Sequence, residues 1–303
     1  MNESIHKYMK VGLIHFMAYP NCIKGEGPIE ETLRKIALDD YFDAVEISWI
    51  KDKDVRTRTK KILDTAHMTV AYGAQPRLLT TGLNINNIDE EERLKALATL
   101  KEGIDEAYEM NAAGFAFLSG KYSGDKIEEA FEALVKSTKE LCRYAKEKGS
   151  INVLLEVFDY DVDKKSLIGP VKLAKRYAEE IRKEYNNFGL MVDLSHIPQL
   201  HETIEQSVLP IKDYILHAHM GNCVVADPSM PAYGDQHPRF GFPNGECDVA
   251  ELTEYLRVLK DIGFLNEEKR PIVSFEVKPF GYEDPDLVVA NAKRVLNAAW
   301  AQL

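Results

Sequence analysis

Short apolar runs alternate along this chain with longer stretches in which apolar residues recur at helical spacing. Residues 11–17 (Val-Gly-Leu-Ile-His-Phe-Met) read as a first strand, with regular structure stopped at Pro20. A helix over 29–38, a strand over 42–49 carrying Glu46 and a helix over 54–66 follow. Residues 68–74 predict a third strand, and Gln75, Pro76 and Arg77 fall in the loop at its end. Asp89, with Glu92 three residues on, starts a helix that reaches Met110. A fourth strand over 113–119 leads to a long periodic helix over 126–148, closed by Gly149.

The second half repeats the plan. Strands are predicted over 153–158, 189–194, 215–221 and 272–278, and helices over 170–185, 202–208, 248–262 and 286–300. Leu252, Tyr255, Leu256 and Leu259 share one side of the 248–262 helix, which Gly263 ends. Eight strand and helix alternations without a linker or composition break describe a parallel sheet, either closed or open. The polar residues decide between them, because ionisable side chains recur at the C-terminal ends of the last four strands and a closed barrel brings those ends to one mouth. The expectation is a (β/α)8 TIM barrel, an α/β fold in which residues 1–303 form a single domain.

Composition narrows the chemistry. A formal charge of -11 without a basic run removes the electrostatic term that drives nucleic-acid binding. No apolar stretch is long enough to span a membrane, and the N-terminus lacks a signal-peptide core. Cys22, Cys142, Cys223 and Cys247 show no paired spacing, as expected of reduced thiols in a cytoplasmic protein.

The candidate chemistry lies at the strand ends. His217 and His219 share a face of the seventh strand, while Glu156, Asp193 and Glu276 end apolar runs on strands five, six and eight. Three carboxylates and a histidine at one mouth form an oxygen and nitrogen ligand set. It suits a divalent metal, Mn²⁺ first, with Mg²⁺, Co²⁺ or Zn²⁺ also accommodated, because no thiolate biases it toward softer ions. A divalent cation also keeps clustered carboxylates ionised in a cavity. Lys278 faces the same mouth as a cation for a developing oxyanion, and Arg77 is placed to grip an anionic or polyhydroxy ligand.

With these residues in place, nearly the whole chain resembles the xylose-isomerase-like superfamily of metal-dependent sugar isomerases and epimerases. The resemblance to its ketose 3-epimerases implies that Glu156, Asp193, His219 and Glu276 hold the metal, with Asp193-Leu-Ser-His196 as the Asp-x-x-His motif. It also implies that Glu156 and Glu276 are the paired acid and base, and that His196 orients the substrate. Gln75, Glu46 and His237 are expected to reach the substrate as well. The implied activity is proton abstraction alpha to a metal-bound carbonyl of a keto sugar, through an enediolate.

Two departures open alternatives. Val225 stands where the epimerase pattern has an arginine, which leaves room for a lyase that eliminates a beta substituent, as in inosose dehydratases and the catalytic subunits of C-glycoside deglycosidases. The Asp235-Gln-His237 segment is similar to metal ligands of endonuclease-four-type DNA endonucleases, but strands two and three offer Glu46 and Gln75 instead of the further histidines a phosphodiesterase needs. A non-catalytic sugar-binding barrel is the remaining reading. The expected partners are a small keto sugar or glycoside and further copies of the chain, or a small second subunit in the deglycosidase case.

Overall fold

The computed structural model describes residues 3–303. Eight parallel strands close in sequence order: β1 (Lys10–Ile14), β2 (Ala44–Ile47), β3 (Thr69–Gly73), β4 (Gly114–Leu118), β5 (Asn152–Glu156), β6 (Phe188–Asp193), β7 (Ile215–Gly221) and β8 (Ile272–Glu276). The seam between β8 and β1 is paired from Lys10 with Ile272 to Leu13 with Phe275, so no strand edge is left open. The main helices between the strands start at sites the sequence marks. Asp52, Asp89 and Asp284 cap theirs by accepting from two backbone N–H groups each. Asp248 and Glu251 form a capping box at Val249–Asp261.

The strands are buried on both faces, as parallel barrel strands must be. Outward residues such as Val153, Leu155 and Phe275 join the large core shared with the helices. Ala116, Leu154 and Met191 form a separate small cluster. Glu156 and Asp193 lie two residues beyond Leu154 and Met191, so the period of two that turns those apolar side chains inward also turns the carboxylates inward, one layer higher.

β6 and β7 match the lengths of their apolar runs, and the other six strands are shorter than theirs. The run over 11–17 ends as a strand at Ile14, and His15–Ala18 turns into a short helix whose last turn closes through Tyr19 N–H donating to the His15 carbonyl. The expected loop at Gln75, Pro76 and Arg77 is a short helix, Gln75–Leu79, which accepts Pro76 because a proline in the first turn forfeits no helical hydrogen bond. His196–Gln199 is likewise helical. No described helix is long and apolar enough to cross a membrane, and all four cysteines are free and buried.

Candidate metal centre

Register sets the heights of the candidate ligands. Asp193 on β6 pairs with His219 on β7, and Gly221 at the end of β7 pairs with Glu276 on β8. Gly221 is required here for close approach: a Cβ would lie 2.8 Å from the Glu276 carbonyl oxygen and 3.1 Å from His237 Nδ1. Its absence lets the long loop after β7 fold back over the mouth and bring Asp235 and His237 to the strand ends.

Glu156, Asp193, His219 and Glu276 place one ligand atom each within 4.8 Å of one another, all buried. His219 Nδ1 lies 3.0 Å from Glu156 Oε1 and 2.8 Å from Glu276 Oε2. One nitrogen carries one hydrogen, and only the contact to Glu156 has hydrogen-bond geometry. Glu276 Oε2 and Asp193 Oδ2 are buried with no hydrogen-bond donor. Buried carboxylate oxygens without partners are costly, and a cation among these four groups satisfies both. A hard or borderline divalent ion fits this oxygen-rich set.

Two further groups meet the same distance condition but fit a cation less well. In the group of Glu46, His217 and His219, Glu46 Oε1 already sits 2.7 Å from His217 Nε2 and 3.1 Å from His219 Nε2. In the group of Asp193, His196 and His237, the histidines are engaged elsewhere. His196 Nδ1 donates to the Val157 carbonyl at 2.8 Å, and Asp235 Oδ1 lies 3.0 Å from His196 Nε2 and 2.7 Å from His237 Nε2.

The electrostatics follow from this crowding. Burial pushes the Glu276 carboxyl up, Glu156 adds to the effect, His237 and His219 oppose it, and the pKa reaches about 7. Burial disfavours charge on His219, but Glu46 and Glu156 outweigh it and hold the imidazole well above its ordinary pKa. His196 follows the same pattern, with burial overcome by Asp193 and Asp235 and a pKa raised to about 10. Burial also opposes ionisation of Asp235, yet His237 and Lys164 hold its carboxyl well below the usual range.

A cavity of about 170 Å³ opens on this cluster, lined among others by Glu46, Gln75, His219, Glu276 and Lys278. Gln75 Nε2 donates to Glu156 Oε2 at 2.6 Å, and Gln75 Oε1 is left as a buried acceptor without a donor. Lys278 Nζ donates to Gln236 at 3.0 Å.

Three of the expected substrate residues lie outside this cavity. Arg77 does not reach the mouth: it is buried, with Nη2 2.7 Å from Glu106 Oε2 and Nε donating to the Tyr72 hydroxyl at 3.0 Å. The short helix that replaces the expected loop turns it into the layer between barrel and helices. His196 and His237 are present at the strand ends but do not line the cavity, whereas Asp235, which contacts both, does. Sequence reading missed Lys164 and the flanking Phe16 and Phe158 as lining residues. Lys164 carried no signal, since it sits in a charged loop whose fold depends on buried Asp159 accepting from the N–H groups of Val162, Asp163, Lys164 and Lys165.

The model of the xylose isomerase-like TIM barrel family matches residues 36–298, and the chain belongs to that family. Among solved structures the fold is similar to D-psicose 3-epimerase from Clostridium cellulolyticum, at 18% identity and TM-score 0.66 over 97% of this chain and 96% of that one. It is also similar to 3-keto-D-glucoside 4-epimerase from E. coli, at 17% identity and TM-score 0.64 over 97% of this chain and 99% of that one. A third likeness is to a xylose isomerase-like TIM barrel protein from Mycobacterium smegmatis in complex with magnesium, at 15% identity and TM-score 0.64 over 99% of each chain. No curated protein matches the sequence.

Proposed function

We propose that this chain is a divalent-metal-dependent sugar isomerase or epimerase that moves a proton at the carbon next to a carbonyl. The observation that carries the reading is the convergence of Glu156 and Glu276 on His219 Nδ1, at 3.0 and 2.8 Å, beside a cavity of about 170 Å³. Glu156, Asp193, His219 and Glu276 would hold the cation, Mn²⁺ first by ligand type. Bound there, it would polarise a substrate carbonyl and acidify the hydrogens on the adjacent carbon.

The protein's own residues supply the rest. Glu276, which lines the cavity at the end of β8, is placed to take or return a proton at the carbon beside the carbonyl. Glu156, held by Gln75 at 2.6 Å, is the second carboxylate for the opposite face or the neighbouring carbon. Gln75 Oε1 offers a free acceptor for a substrate hydroxyl, and Lys278 brings a cation toward an oxygen that gains charge. The sugar epimerases that share this fold support the same reaction class.

Elimination of a beta substituent is the second reading. It is favoured by Val225, which offers no donor and does not line the cavity. Incubation of the metal-loaded protein with free ketoses and with 3-keto glycosides in deuterated water, followed by mass spectrometry, separates the two. Deuterium uptake with conserved carbon skeleton and an isomerised product supports the proposal, and release of an aglycone or water with inert ketoses overturns it.

A further inference from the structure

The connection after β7 reaches the mouth at Gly234-Asp235-Gln236-His237, where Asp235 and Gln236 line the cavity. Its backbone there is not one that the sequence favours. His237 has a φ of 48°, in the left-handed region, where a residue with a Cβ persists only if its surroundings hold it.

The surroundings grip this strap from both sides. From the connection after β5, Asp163 Oδ2 accepts from the Asp235 N–H at 3.2 Å, while Lys164 Nζ lies 2.7 Å from Asp235 Oδ2 and 3.4 Å from the Asp235 carbonyl oxygen. The Asp159 carboxylate fixes both grips by accepting from the N–H groups of Asp163 and Lys164 at 2.7 Å each. From the end of β8, the Lys278 N–H donates to the His237 carbonyl at 2.7 Å. Between these anchors Gln236 Oε1 accepts from Lys278 Nζ at 3.0 Å. Among the described residues Lys278 has no ion pair, so the Gln236 amide is what aims its ammonium.

Lys164 also lines the cavity, but it has nothing to offer a ligand there. An ammonium carries three hydrogens. Those of Lys164 face Asp163 Oδ2 at 3.0 Å and the two Asp235 oxygens, and none is left over. We propose that Lys164 is a positioning residue: through Asp235 it holds Gln236, and through Gln236 it places the Lys278 ammonium at the cavity. The proposal rests on the isomerase or epimerase reading, in which that ammonium meets an oxygen that gains charge.

The test is a double-mutant cycle on the metal-loaded full chain, with Lys164→Met and Lys278→Met assayed on D-fructose, D-tagatose and a methyl 3-keto-D-glucoside. Hydrogen exchange of the peptide carrying Lys278 is followed in the same proteins. Lys164→Met is expected to lower kcat by about fivefold or more with KM within about twofold, and the double variant to be at most about twofold slower than Lys278→Met alone. The Lys278 peptide is expected to exchange faster in Lys164→Met than in wild type. Wild-type kcat in either single variant, an effect of Lys164→Met confined to KM, or single losses that multiply in the double variant overturn the proposal. If Lys164→Met does not fold, Asp163→Ala carries the same cycle, because it removes the acceptor of both the Asp235 N–H and Lys164 Nζ. Should wild type convert none of the three sugars, the isomerase or epimerase reading fails and hydrogen exchange alone decides the strap. Faster exchange at Lys278 then supports it, and unchanged exchange overturns it in every case.

Discussion

Glu46 Oε1 lies 3.1 Å from His219 Nε2, on the opposite edge of the imidazole from the nitrogen that Glu156 and Glu276 approach. A histidine that ligates through one nitrogen is commonly fixed by a carboxylate at the other, and losing that partner costs about 10- to 100-fold in metal affinity. Glu46 also takes His217 Nε2 at 2.7 Å, so one carboxylate orients both imidazoles of β7. Glu46→Ala should weaken Mn²⁺ binding by about tenfold or more, and Glu46→Gln should restore part of the loss because its amide oxygen still accepts. Metal titration of the purified variants decides it; an Ala variant with wild-type affinity would show that Glu46 does not position the ligand.

One divalent ion per chain is the expected stoichiometry. A ligand that binds only the folded state raises stability by mass action, about 2.7 kcal/mol at a hundredfold excess over Kd. Thermal unfolding with and without chelator should therefore show a higher midpoint for the Mn²⁺-loaded protein, and Asp193→Ala should remove the difference. A protein whose midpoint ignores added Mn²⁺, Mg²⁺, Co²⁺ and Zn²⁺ alike has no such site.

Glu156→Gln and Glu276→Gln should each reduce turnover by at least a hundredfold, the scale of a lost general acid or base. Lys278→Met should lower kcat by about tenfold or more with a smaller effect on KM, if its ammonium acts on an oxygen that gains charge in the transition state. Full activity in this variant would leave Lys278 only its hydrogen bond to Gln236.

Much of this was legible beforehand. The period of two that buries Leu154 and Met191 also dictates where Glu156 and Asp193 point, so a strand-end carboxylate after an apolar run could be placed without coordinates. Arg77 was not legible because its direction depends on a single turn of helix, and Gln75-Pro76 fits a loop as well as a first turn. A neighbouring cavity of about 570 Å³, lined among others by Leu78, Leu118, Lys164 and Gln236, was hidden for a different reason: its walls come from four separate strand-to-helix connections, and no local pattern specifies how such connections face one another.

Arg77 now serves to separate stability from activity. Removing one partner of a buried pair leaves a charge uncompensated, at about 3–5 kcal/mol. In Arg77→Met the Glu106 carboxylate would retain Arg56 Nη1 only at 3.7 Å, together with the Ile50 N–H. Denaturant unfolding should register a loss of that order, while KM for a keto sugar stays within about twofold. A KM raised tenfold in a fully folded variant would return Arg77 to the substrate.

His15 gives the pH dependence a definite sign. Thr32 Oγ1 donates its proton to the Pro28 carbonyl, so His15 Nε2 must be the donor in its 2.7 Å contact with Thr32. Burial lowers its pKa from 6.5 to about 3. Between these values the unfolded chain binds a proton that the folded one does not, so this contribution is complete above pH 6.5 and is lost as the pH falls toward 3. The unfolding free energy of wild type should drop over that window more steeply than that of His15→Gln, measured in parallel denaturant titrations at fixed metal content.

The closed barrel divides its labour by halves. The four candidate metal ligands come from β5 to β8, whereas Ile14, Phe16, Gln75 and Leu79, which shape the cavity around them, come from the ends of β1 and β3. Phe158, Lys164, Asp235, Gln236 and Lys278 of the second half complete the wall, so the first half supplies part of the mould and none of the four candidate ligands. A lineage can therefore change what enters the mouth by rewriting loops between residues 14 and 88 while the reacting groups stay untouched. Libraries confined to those loops are the shortest laboratory route to new substrates for this scaffold.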